Sequence, residues 1–105
     1  MKKAIEVDPS SIEYRFNLGY VLESREDYFE AESPLQEAVE LSKGKDWRCL
    51  AELAKVYEKI GRASDAARSA KLAVDLLEEQ NDIEGARALQ HDLDRYESEA
   101  AEKTN

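Results

Sequence analysis

A run of similar residues recurs three times along the chain at almost constant spacing. Ala4-Ile5-Glu6-Val7, Ala38-Val39-Glu40-Leu41 and Ala73-Val74-Asp75-Leu76 start 34 and then 35 residues apart. The second shift also carries Leu18 onto Leu53, Val21 onto Val56, Leu22 onto Tyr57 and Ala31 onto Ala66. A period of about 20–50 residues marks a chain of stacked supersecondary units, none of which can bury its apolar face alone. At 105 residues the chain has room for about three such units, the last of them incomplete.

Each unit reads as two helices, so the expected class is all-α. Charged residues make up 37 % of the chain, and only 4 Gly and 2 Pro interrupt it, a mix that favours helices laced with surface charge. Ser10 and Glu13 form a possible capping box, which opens a helix running to about Ser24. Asp27 caps a second helix that ends near Ser42, closed by Lys43-Gly44 with Gly44 free to turn left-handed. The next pair covers Asp46–Ile60 and Ser64 to about Glu79, with Gly61-Arg62 between them. After the break at Gln80-Asn81, Asp82 caps a fifth helix to about Tyr96. Pro34 either kinks the second helix or restarts it behind Ser33. The helical spacing of Ala31, Leu35 and Ala38 across it favours a continuous, kinked helix.

These positions resemble the tetratricopeptide repeat, whose unit of about 34 residues reads W-x2-L-G-x2-Y, then A-x3-F, then P. The first full unit carries Leu18-Gly19, Leu22, Ala31, Leu35 and Ala38, and Pro9 matches the proline that closes the preceding unit. The second carries Leu50, Leu53-Ala54, Tyr57, Gly61, Ala66, Ala70 and Ala73; the third carries Ala86, Leu89 and Leu93. Arg15 stands in place of the tryptophan, Gln90 in place of a small residue, and no proline closes either later unit. The resemblance implies a right-handed α-solenoid of antiparallel helix pairs over residues 1–97. It would hold about two full repeats, an N-terminal stub and a C-terminal cap helix, with a polar tail at 98–105 expected to fray. Gly19 would then face Ala31, Ala54 would face Ala66, and Leu18, Gly19 and Leu22 would pack inside their unit.

The resemblance also implies a binding surface on the concave face of the first helices. Helical spacing from the family's ligand positions places Glu13, Phe16, Asn17, Tyr20 and Glu23 there, followed by Arg48, Ala51, Glu52 and Lys55. From the third unit come Glu84, Arg87, Ala88, His91, Asp94 and Arg95. The candidate partner-binding set is Phe16, Asn17, Tyr20, Arg48, Lys55, Arg87, His91 and Arg95. Basic groups beside exposed aromatics suit a protein or peptide segment with an acidic and an apolar part. The Lys and Asn clamps with which some members hold chaperone C-termini are not matched. Phe16, Tyr20, Glu52, Glu84 and Ala88 occupy those places.

Other chemistries find little support. A net charge of −9 argues against general nucleic-acid binding. One histidine, His91, makes no histidine-based metal cluster, and Cys49 has no base near it in sequence, so the chain is expected to be no enzyme and to need no cofactor or metal. With one cysteine, no membrane span and no signal-like segment, the expected setting is cytoplasmic. The leading expectation is a protein–protein interaction module that holds a peptide or helix in its groove. The alternative is a self-association or assembly module, or a fragment of a longer array, pairing through an N-terminal end at which Ile5 and Val7 lack cover.

Overall fold

The computed structural model describes residues 11–104. They form five helices: α1 (Ile12–Ser24), α2 (Tyr28–Leu41), α3 (Trp47–Lys59), α4 (Ala63–Glu79) and α5 (Ile83–Thr104). Among the described residues there is no strand, and no helix is long and apolar enough to cross a membrane. Each helix packs against the next in sequence, and α1 also touches α3. The expected N-terminal stub, with Ile5, Val7, Pro9 and Ser10, lies outside the described residues.

One device ends each of the first four helices. The N–H of Asp27, Gly44, Arg62 and Asp82 donates to the carbonyl five residues back, at 2.8–2.9 Å. The preceding N–H in each case donates three residues back, at 2.9–3.1 Å. These paired bonds make a Schellman close, which needs one left-handed residue and satisfies two helix-end carbonyls. That residue is Glu26, Lys43, Gly61 or Asn81, with φ of 65°, 58°, 84° and 63°. Glycine supplies this conformation without strain only at Gly61 among the four. At the α2 end the left-handed turn starts at Lys43, one residue before the Gly44 that the sequence marks. Asp27 and Asp82 then lead directly into the next helix, which keeps these connections short.

Helix starts follow side-chain chemistry. Ser11 caps α1 by accepting from the Tyr14 N–H at 3.3 Å, while the expected box of Ser10 with Glu13 rests on a residue outside the described ones. Asp46 accepts from the Arg48 N–H at 3.1 Å, and Asp82 from the Gly85 N–H at 2.9 Å. Asp27 precedes α2 without a side-chain cap bond. Pro34 is buried inside a single continuous α2, although its ring leaves the Glu30 carbonyl without the usual helical donor.

The core runs through all the interhelical layers. Ala31, Leu35, Leu53, Ala54, Tyr57, Ala66, Ala70, Leu77, Ala86 and Leu93 belong to one buried cluster, against which Leu22 and Leu89 pack. The small residues sit where helices approach closely: Ala31, Ala54, Ala66 and Ala70 are fully enclosed. Gly19 is buried too, but its close neighbour is Leu35 rather than Ala31. Leu18 departs from expectation: it is 38 % exposed, on a line with Tyr14 and Val21, which are exposed as well. The α5 helix also departs. It continues to Thr104 rather than ending near Tyr96, and Tyr96 is among the largest fully buried side chains. Docking that ring on the rest of the core holds the following polar turns in helical register. Gln90, at the expected small position, is exposed and donates to Asp94 at 2.9 Å.

Candidate partner-binding surface

Residues three and four apart share a helix face, so α1 presents Glu13, Phe16, Tyr20 and Glu23 together, and α3 presents Arg48, Glu52 and Lys55. The contact of α1 with α3 brings these stripes side by side. The Arg48 guanidinium lies 4.8 Å from the Phe16 ring centroid, and Phe16 stacks with Tyr20 at 6.5 Å and 19°. Phe16 is half-buried, whereas Tyr20 is 50 % exposed and Asn17 is exposed next to it. Phe16, Asn17, Tyr20 and Arg48 thus form one patch, with an aromatic face open to solvent.

The cations on this surface are not free. Arg48 donates to Glu13 Oε2 at 2.7 Å and to both Asp46 oxygens at 2.8 and 3.1 Å. These bonds hold the Asp46 carboxyl below its usual range and keep Arg48 firmly charged. Arg95 grips both oxygens of Glu58 on α3, at 3.0 and 3.1 Å, and reaches Asp92 at 3.0 Å. The fork lowers the Glu58 pKa, and the guanidinium sits 5.0 Å over the Tyr96 ring. Lys55 is exposed and reaches Glu52 Oε1 at 3.6 Å. Basic groups that the sequence offers to an acidic partner are instead each met by a carboxylate of the chain itself.

The third-unit candidates divide. Arg95 faces α3 through Glu58, while Arg87 borders a different recess, of about 270 Å³, with Glu78 of α4 and Ile83, Ala86 and Gln90. Arg95 is thus tied to α3, whereas Arg87 sits two turns earlier on α5 beside the end of α4. His91 is exposed on the same helix.

Glu52 is the residue that sequence reasoning placed on the face but left out of the site. It is only 7 % exposed, and its Oε2 has no hydrogen-bond partner. Burial pushes its pKa up; Lys55 pulls the other way, and Glu23 across on α1 raises it further. The signal in the sequence was the 35-residue shift, which sets Glu52 on Asn17, inside the candidate stripe. Glu58 was missed because nothing local ties it to Arg95, 37 residues away.

Cys49 is fully buried, and desolvation, with Asp46 nearby, pushes its thiol up to about 12. It fills space and is not a nucleophile at neutral pH. The thiol should resist iodoacetamide in the native protein at pH 8 and react once the chain is unfolded in urea, as mass spectrometry would register. Because the folded value lies above the ordinary value of 9.0, the folded state holds the proton longer. The contribution of Cys49 to stability is therefore fully present below pH 9 and is lost as pH rises from 9 towards 12. Native labelling as fast as unfolded labelling would contradict this burial. Among the described residues no three His, Cys, Asp or Glu side chains converge as a metal site.

The chain matches no protein-family model, and no curated protein matches it.

Proposed function

We propose that this chain is a protein-binding module of the tetratricopeptide type, a right-handed α-solenoid that takes a peptide or helix of a partner on the face shared by α1 and α3. The observation that carries the reading is the Phe16–Tyr20 stack, half-open to solvent beside Arg48 and the exposed Lys55. Aromatic and arginine side chains of this kind anchor protein interfaces, because they offer large contact area with few rotatable bonds. The 34- and 35-residue repeats and the neighbour-to-neighbour packing of helices support the repeat reading. On this reading the chain acts by binding, without catalysis or cofactor. One buried cysteine fits a reducing, cytoplasmic setting.

The test is a chemical-shift map of the labelled chain with a partner captured by pull-down and then purified. Shifts are expected at Phe16, Asn17, Tyr20 and Lys55, and on α5 at Arg95 before Arg87 or His91. Shifts confined to Gln36, Glu40, Arg68 and Lys71 would move the binding surface to the outer helices and defeat the proposal.

Assembly is a second reading, favoured by a separate observation. Tyr14, Leu18 and Val21 are 38 %, 38 % and 47 % exposed. The residues one repeat later, Cys49, Leu53 and Val56, are 0 %, 4 % and 0 % exposed on α3, which α2 packs against. The α1 stripe is thus built like a face that accepts a helix. Light scattering over a concentration series separates the readings: a constant monomer mass favours the groove, and a rising mass favours assembly.

A further inference from the structure

The groove reading leads to a sharper statement about the partner, which rests on that reading. Three cations on the shared face of α1, α3 and α5 meet acids: Arg48 meets Glu13 and Asp46, Arg95 meets Glu58 and Asp92 with Glu99 at 3.9 Å, and Lys55 meets Glu52, which has Glu23 beside it. These seven carboxylates outnumber the three cations together with Lys59, which stands near Glu58, and leave this surface negative. A second observation is independent of that count. Glu52 is more than nine-tenths buried between α3 and α1, and its Oε2 lacks any donor. Its other oxygen reaches Lys55 at 3.6 Å, and the Glu23 carboxyl stands close by. The Lys55 distance exceeds the roughly 2.7–2.9 Å of a charge-assisted hydrogen bond. A buried carboxylate accepts several hydrogen bonds when satisfied and is costly when it is not.

We propose that the α1–α3 part of the groove receives the cationic head of a partner's lysine or arginine at Glu52 and Glu23, with the partner's adjoining apolar side chain against Tyr20. Oε2 is enclosed as it stands, so the incoming ammonium or guanidinium meets Glu23 first and gains Oε2 as the Glu52 carboxyl rotates towards it. The cation also relieves the repulsion between Glu23 and Glu52, and competes only with the loosely held Lys55. The exposed Tyr20 ring lies one helical turn before Glu23 and covers the apolar part of the same segment. An acidic segment finds one loosely held cation, Lys55; at the other two its carboxylates would have to displace Glu13 from Arg48 or Glu58 from Arg95, where the bonds are 2.7–3.1 Å long. Charge complementarity therefore selects a basic and apolar segment.

The experiment uses two synthetic peptides of about ten residues with identical apolar positions, one carrying Lys and Arg and the other Glu and Asp. Each is titrated into the labelled full chain, the wild type and the Glu52→Gln variant, with Glu23→Gln as a second variant. The basic peptide should shift Tyr20, Glu23 and Glu52 and bind at least about tenfold tighter than the acidic one. Glu52→Gln should weaken it by about tenfold, the usual effect of losing a charged hydrogen-bond partner. Removing an unmatched buried charge should leave the thermal midpoint equal or higher, which separates lost recognition from lost fold. Tighter binding of the acidic peptide at Tyr20, or basic-peptide affinity unchanged in both variants, overturns the charge assignment and leaves the groove reading standing. Shifts away from this face, or none with either peptide, overturn both.

Discussion

Tyr96→Ala is expected to cost about 3–5 kcal/mol, the range for emptying a fully buried aromatic site. Tyr96 is 1 % exposed and belongs to the same cluster as Leu77, Ala86 and Leu93, so its ring joins α5 to the α4 side of the core. It also lies under Arg95, whose guanidinium reaches across to Glu58 on α3. Alanine would leave a cavity and remove the platform beneath that ion pair. Domains of this size are stable by about 5–15 kcal/mol, so the loss takes a large share of the total. Urea denaturation followed by circular dichroism measures it as a lower midpoint. The control is Phe29→Ala: Phe29 is 79 % exposed, and its removal should change stability by less than about 0.5 kcal/mol. Equal midpoints for the two variants would mean that the second half of α5 is not docked as described.

The second large effect is a coupling between Gly19 and Leu35. A methyl at Gly19 would stand 2.6 Å from Leu35 Cδ2 and 3.1 Å from Cδ1, and nearer still to Cγ. Leu35 is fully enclosed, so its side chain cannot swing aside. Alanine favours an isolated helix over glycine by about 1 kcal/mol. The clash outweighs this, and Gly19→Ala should lose about 1–3 kcal/mol net, as overpacked cores do. Leu35→Ala alone should cost about 2–5 kcal/mol. In the double variant the new methyl enters the space that Leu35 vacates, so the combined loss should fall short of the sum by roughly 1 kcal/mol or more. A cycle additive to within about 0.5 kcal/mol would show that α1 and α2 do not approach so closely at this point.

The helices were legible in the sequence because their determinants are local. The spacing of Leu50, Leu53, Ala54 and Tyr57, and the breaks at Lys43-Gly44, Gly61-Arg62 and Gln80-Asn81, act within one or two turns of chain. The same locality explains why Pro34 could be read as internal to α2. Structure departs from these local cues where a distant contact outweighs them. Ser98, Glu99 and Glu102 look like a fraying tail, but Tyr96 is buried just before them and the helix continues. Leu18 falls on the repeat spacing with Leu53, yet it stays 38 % exposed where Leu53 is buried.

The candidate surface divides in the same way. Helical spacing alone put Phe16, Asn17 and Tyr20 on one face of α1, and Arg48, Glu52 and Lys55 on one face of α3. Spacing within a helix is a property of the backbone and needs no neighbours. Which charges remain free was decided only by tertiary structure. Glu13 meets Arg48 across 35 residues and Glu58 meets Arg95 across 37, separations close to the repeat length. Those pairs exist only when successive first helices stand side by side. The same contact buries Glu52 and leaves one of its oxygens without a donor. Burial and ion pairing depend on neighbours remote in sequence, whereas helix periodicity depends on residues three and four apart. The chain's order therefore determined which residues share a face, and packing determined the charge that this face presents.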